Sequence, residues 1–278
     1  MRADDERVGR HVDAVLAGLR VPDDAAPVDH WYSLTASDTA VGTIDVRRDG
    51  DELVRAQRPG DALGSVVCDL NRSAAEASGG HLLFHAGALE VDGIGVLVPG
   101  ASGSGKSTLV AGLVRAGLGY LTDELAALDM ATGRLVPYPK PITLKPGSFD
   151  VLSDMAPADC SGRGRDPWAG EEWHVAVGTG TGRRIGRACK PGFVVVPRYD
   201  ATAETALTPL SATQAFLALA VNAVNLIPHG SAGTRALGRL AVRCRCFSLT
   251  VSDLDAACRL VLGLVEAPAA RGGAGREP

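Results

Sequence analysis

One stretch constrains this chain more than any other. Gly100-Ala101-Ser102-Gly103-Ser104-Gly105-Lys106-Ser107 is a complete G-x-x-x-x-G-K-[ST] sequence. Before it, Ile94-Gly95-Val96-Leu97-Val98 is a short apolar run with the character of a buried strand. After it, Thr108 to Ala116 has helical composition, and Gly117 suits the glycine that closes a helix. A strand, a glycine-rich turn and a helix in that order aim several backbone N–H groups and a positive helix end at one point, where a phosphate is held. The pattern predicts that Gly100, Ala101, Ser102, Gly103, Ser104, Gly105, Lys106, Ser107 and Thr108 bind ATP. Lys106 would place its charge on the outer phosphates, and Ser107 would ligate Mg²⁺.

The next apolar run, Leu118-Gly119-Tyr120-Leu121, ends in Thr122-Asp123-Glu124. In a parallel sheet, residues just past the carboxyl end of a strand face the same crevice as the glycine loop. Asp123 is thereby expected near a γ-phosphate, holding Mg²⁺ or taking a proton from an attacking hydroxyl. Glu124 would point the other way along an extended segment, as a further metal partner. The same acidic pair also suits a helix cap or a surface loop.

His85-Ala86-Gly87-Ala88-Leu89-Glu90-Val91-Asp92-Gly93-Ile94, the glycine loop, and Gly119-Tyr120-Leu121-Thr122-Asp123-Glu124 together resemble the catalytic domain of the HPr kinase/phosphorylase family, over about residues 81–144. The resemblance implies an α/β fold: a P-loop nucleotide-binding domain of HPr-kinase type. Asp123 would be the general base for a serine hydroxyl, and His85 would assist near the phosphates. Glu124 stands where the family has a second Asp. The family's later Leu-Glu-Ile-Arg-Gly signature is not found, which leaves a metal contact and the reverse phosphorolysis unassigned. The chain looks closest to stand-alone HPr-kinase-like proteins, some of which phosphorylate ribosomally made peptides such as lasso precursors. Related kinases often assemble, so the resemblance also admits a homo-oligomer.

The whole chain of 278 residues carries a net charge of −4, with Lys and Arg scattered, so nothing in its composition favours nucleic acid. No apolar run is long enough for a bilayer, and Met1 to Glu6 is too polar for a signal peptide. Six cysteines, none in a C-x-x-C pair, indicate neither zinc nor redox chemistry, and Cys244 and Cys246 alternate along an expected strand as packing groups. A reduced, cytoplasmic protein without a membrane partner is expected.

Residues 1–80 are expected to form a small α+β unit, 81–268 the kinase-like domain and 269–278 a flexible tail. Val8, Val12, Val15 and Leu19 mark a helix ended by Pro22 and Pro27; strands follow, with a hairpin at Asp49-Gly50-Asp51 and a helix over 61–77. His11, His30 and His229 suggest no chemistry. Further on, Leu125 to Asp129 and Arg134 to Val136 read as a strand pair. Lys140 and Lys145 can reach an anion, but each is read in the first instance as a solvated lysine on an extended, proline-rich edge. The irregular stretch 146–191 is expected to be a mobile lid hinged on glycines, bringing one of Arg163, Arg165, Arg183, Arg184 or Arg187 to the phosphates, with Glu171 and Glu172 as metal-binding or merely exposed carboxylates. Phe193 to Val196 reads as a central strand stopped by Pro197. Ser211 and Gln214 form a capping box, a helix is expected over 234–240, and Ser252 with Asp255 is expected to cap the last helix.

The leading expectation is ATP-dependent phosphoryl transfer to a hydroxyl, with a serine of a peptide or small protein preferred through the resemblance. A small-metabolite kinase and a nucleotide-responsive peptide-binding module remain the alternatives.

Overall fold

The apolar stripe of the first helix sits on a small sheet of its own. A computed structural model describes residues 1–21, 28–157 and 171–266. Strand β1 (Arg2–Ala3) leads into helix α1 (Glu6–Val15), where the Asp5 carboxylate accepts from the N–H groups of Arg7 and Val8. β2 (Tyr32–Ala36), β3 (Ile44–Arg48) and β4 (Asp51–Gln57) follow, the last two joined by a tight turn with positive φ at Asp49 and Gly50. Among the described residues the sheet runs β1-β2-β3-β4, with β4 at an edge. Val8, Val12 and Val15 of α1 bury against Leu34, Val46 and, from helix α2 (Pro59–Ala77), Leu63 and Val66. Pro22, Pro27, Cys160, Arg163, Arg165, Trp168 and the tail 269–278 lie outside the described residues.

The rest of the described chain builds a large mixed sheet, a separate two-stranded sheet and the helices that cover them. In order these are β5 (His81–Val91), β6 (Ile94–Pro99), α3 (Lys106–Arg115), β7 (Gly119–Thr122), β8 (Leu125–Asp129), β9 (Leu135–Val136), β10 (Ile142–Leu144), β11 (Trp173–Val175), β12 (Lys190–Tyr199), β13 (Ala206–Pro209), α4 (Ala212–Val221), α5 (Leu226–Arg243), β14 (Arg245–Val251) and α6 (Leu254–Glu266), with β10 and β11 forming the two-stranded sheet. Among the described residues the sheet order is β13-β14-β12-β6-β5-β8-β9, with β7 also on β5. β6, β12 and β14 run parallel, while β5 is antiparallel to β6, β7 and β8. Period-2 alternation separates two apolar layers. Val96 and Val98 face Leu109, Leu113 and Leu254 of α3 and α6, whereas Leu97 faces Leu219, Leu237 and Leu240 of α4 and α5. The expected α/β class is observed, as helices on both faces of a mixed sheet.

Several local expectations change. β7 is not beside β6: β5 lies between them, antiparallel to both, so β6 and β7 still run in one direction and end at the same edge. Pro197 does not stop β12, which continues to Tyr199; β6 pairs only as far as Val194, and beyond that point one neighbour, β14, makes demands on the backbone. The cap of α6 is Asp253, whose carboxylate accepts from Ala256 N–H at 2.6 Å, rather than Ser252 with Asp255. Helix α5 begins at Leu226, eight residues earlier than 234, and bends where Gly230 takes a non-helical conformation with φ 51. The capping box of Ser211 and Gln214 is formed. His30 is not alone, since its Nδ1 lies 2.7 Å from Asp49; His229 Nε2 lies 2.9 Å from the His81 carbonyl, to which it donates.

The described parts of the expected lid are packed, not open. Leu152 and Met155 join the core under α3, and Phe149 stacks on Trp173 with ring centres 3.9 Å apart. β11 pairs with β10, and Gly178, Gly180 and Gly182 form a turn closed by the Gly178 N–H to Arg183 carbonyl bond. Arg184 ion-pairs with Glu90 at 2.7 Å, where β5 faces Gly95 and Gly119, the end of the sheet away from the glycine loop.

Candidate active site

The glycine loop joins the end of β6 to the start of α3. Gly103 and Gly105 take positive φ, 83° and 86°, conformations a side chain would strain. Gly105 is also the residue before the helix, which no side chain caps, so the first N–H groups of α3 are left facing the loop. The Ser104 hydroxyl is buried without a hydrogen-bond partner. The helix starts at Lys106, two residues before Thr108, and the Thr108 hydroxyl lies 2.6 Å from that of Ser148.

β5 carries the rest of the site to this loop. Its register places Ala86 opposite Pro99 on one side, and on the other the Ala86 N–H donates to the Glu124 carbonyl. The glycine loop and the acidic pair therefore flank the same point of β5, with their strands about 10 Å apart. β7 and β8 form one line along β5, interrupted only at Asp123 and Glu124. That interruption is a bend, with the Thr122 hydroxyl facing the N–H groups of Glu124 and Leu125. Because the backbone bends, Asp123 and Glu124 do not point opposite ways: both converge on Lys140, at 2.7 and 3.5 Å.

His85, on β5, lies 3.1 Å through Nε2 from the Lys106 ammonium. Burial, then the neighbouring Lys106 charge, lowers the His85 pKa, so the neutral ring accepts from the lysine. Lys106 is itself buried; burial lowers its pKa, against the pull of Asp123 and Glu124. Asp123 is 1% exposed. Burial opposes its charge, but Lys140, the Tyr120 hydroxyl at 2.8 Å and the Thr143 N–H at 3.1 Å outweigh it and hold the carboxyl below its ordinary range. Lys140 is fully buried; burial works against its charge too, and Asp123 with Glu124 raises its pKa. The expectation of a solvated lysine fails here. Pro139 and Pro141 keep the chain extended, and the alternation that buries Ile142 and Leu144 turns Lys140 inward with them.

Glu124 is half-exposed and accepts from Asn71 of α2 at 2.9 Å. Nearby, the Asn71 Oδ1 and the Tyr138 hydroxyl are buried without partners, and the Glu124 charge acts on Tyr138. For Mg²⁺, the donor chemistry fits at Ser107 and at the accessible Glu124; the Asp123 oxygens are already occupied by Lys140, Tyr120 and Thr143. Among the described residues no group of three or more His, Cys, Asp or Glu could hold a metal by itself.

Lys145 is exposed and 3.8 Å from Glu172. His174 on β11, read only as part of a lid, is buried beside Thr143, its Nδ1 3.5 Å from the threonine hydroxyl, and that hydroxyl accepts from Lys140 at 3.2 Å. Lys140, Tyr120, Thr143 and Asn71 are thus the residues that motif reading undervalued. The comparisons with known proteins found no match: no family model fits the chain, and no curated protein is significantly similar to it. No helix among the described residues is long and apolar enough to cross a membrane.

Proposed function

We propose that the chain is a P-loop kinase of HPr-kinase type, transferring the γ-phosphoryl group of ATP to a hydroxyl, with a serine of a peptide or small protein as the preferred acceptor. The observation that carries this reading is the convergence of the glycine loop, Lys106, His85 and the Asp123–Glu124 bend on one point of β5. Loop N–H groups and Lys106 hold the β- and γ-phosphates. The neutral His85 ring accepts from the Lys106 ammonium and fixes where its charge points. Asp123 orients the acceptor hydroxyl and takes its proton as the new O–P bond forms and the bond to ADP breaks. A carboxylate held ionised is a weak base, which suffices where the transition state is loose and little covalent assistance is required. Mg²⁺ held at Ser107 and Glu124 would draw charge from the phosphates when bound.

One observation favours a second reading. Both Asp123 oxygens are engaged by internal donors, which suits a module that binds nucleotide and transfers little. Labelled ATP separates the two. Transfer to a serine peptide that falls at least about 100-fold in Lys106→Ala, with an unchanged circular dichroism spectrum, supports the kinase. Tight ATP binding with no transfer to any acceptor supports the module, and wild-type turnover in Lys106→Ala removes both.

A further inference from the structure

A cavity of about 850 Å³ opens between β4, α2 and β11. We infer that this cavity is the acceptor site, and that it takes an extended, basic peptide laid along β4, which is a sheet edge among the described residues, with its serine toward Glu124. The inference rests on the kinase reading and names the acceptor's seat.

Four features point to that occupant. First, one wall is β4, among the described residues the edge of its sheet, represented by Leu53, Val54, Ala56 and Gln57. An unpaired strand edge offers the alternating N–H and C=O groups that an extended chain requires, whereas a small metabolite has no use for a row of them.

Second, the opposite wall is one face of α2, from Asp61 to Arg72, a run of about 16 Å at the helical rise. About five extended residues fit that length.

Third, carboxylates outnumber guanidiniums in the lining: Asp61, Asp69, Glu171 and Glu172 against Arg58 and Arg72. Arg58 is paired with Asp61, and Arg72 shares the buried Asp69 with Arg48 from outside the lining. Glu171 and Glu172 are left, the latter held only loosely by Lys145 at 3.8 Å. Their excess negative charge suits Lys or Arg beside the serine.

Fourth, the inner end of the cavity hands on to the chemistry. Gly64 lets α2 close on β11, since a Cβ there would stand 3.2 Å from His174 Nε2. His174 leads through Thr143 to Lys140, and Cys68, one turn before Asn71, lies within the electrostatic reach of Glu124 and Lys140. Beyond the lining, one turn along α2 from Cys68, Asn71 donates to Glu124, and the orphaned Asn71 Oδ1 and Tyr138 hydroxyl beside that carboxylate have unused hydrogen-bonding capacity that an entering hydroxyl would satisfy.

The test uses the full chain, γ-labelled ATP and a degenerate pool of seven-residue peptides with a fixed central serine. Two variants probe the cavity: Cys68→Trp, which fills it from an exposed position, and Glu171→Lys with Glu172→Lys, which reverses its charge. Wild type is expected to select Lys or Arg beside the serine. Cys68→Trp is expected to lose at least about 30-fold in kcat/KM for the pool while its ATP Kd stays within about twofold. The charge reversal is expected to abolish or invert the basic preference. Unimpaired phosphorylation of the pool by Cys68→Trp, or a pool without basic preference, overturns the acceptor site and leaves the kinase standing. ATP binding with no peptide phosphorylated overturns the peptide assignment in favour of a small acceptor or the binding module. No ATP binding overturns the kinase reading itself.

Discussion

Two buried aspartates in this molecule are built alike and placed differently. Asp69 on α2 accepts from the Tyr32 hydroxyl at 2.5 Å and is gripped by Arg48 and Arg72. Asp123 accepts from the Tyr120 hydroxyl at 2.8 Å and is gripped by Lys140. Each joins a tyrosine, a carboxylate and a cation. The Asp69 group ties β2 and β3 to α2 through the Tyr32 hydroxyl and the Arg48 guanidinium, while Arg72 holds the same carboxylate from within α2. The Asp123 group has a single lysine as its cation, beside a half-exposed glutamate and across β5 from the glycine loop. A network between elements acts as a brace, whereas one that shares its cation with an accessible carboxylate is placed to act on something that enters.

That contrast is open to direct attack. The largest effect is expected for Asp123→Asn, where transfer should fall about 1000-fold while ATP affinity changes less than about fivefold, the mark of a group used mainly in the transition state. Equal losses in steady-state kinetics and nucleotide titration would reduce Asp123 to a binding role and erase the difference from Asp69.

Asp69→Ala should do the opposite. It strands Arg48 and the Tyr32 hydroxyl, so the unfolding free energy in urea should drop by about 3–5 kcal/mol while turnover per folded molecule is kept. Loss of turnover without loss of stability would break the comparison from the other side.

Lys140→Met should sit between the two, destabilising by an amount of the same order because Asp123 loses its countercharge. Its distinctive signature is the pH–rate profile. Without Lys140 the Asp123 pKa rises, so the acid limb of the rate should move to higher pH; an unmoved limb would make Lys140 a brace only.

The smallest effect concerns His174, whose pKa burial lowers from 6.5 to about 4. The unfolded chain therefore binds this proton first. The corresponding stability is complete above about pH 6.5 and is lost as pH falls toward 4, amounting to about 3 kcal/mol at most. Unfolding of His174→Gln measured between those pH values should lack this component, and an unchanged slope would refute it.

Much of the frame is legible in the amino-acid sequence. Val8, Val12 and Val15 announce their helix, Asp49-Gly50 its hairpin, and Ser211 with Gln214 a capping box, because each signal is local and its physics acts within a few residues. Three failures share one cause. The sequence pattern suggests a solvated Lys140, a lid around Trp173 and a Glu124 that faces away from Asp123. In each, a contact from a distant segment decides the outcome: the Asp123 bend for Lys140, β10 and Phe149 for β11, and Lys140 in turn for Glu124.

What the amino-acid order by itself determined was the strand, glycine turn and helix that place Lys106, since glycine permits the positive φ that other residues resist. Only the tertiary structure decided that β5 would intervene between β6 and β7 and carry His85 to Lys106. It alone decided that a lysine from a proline-bracketed strand would be driven into the interior to meet two carboxylates. The physical reason is range: backbone conformation is chosen among near neighbours, while the pairing of buried charges is chosen among whatever segments the packed sheet brings together.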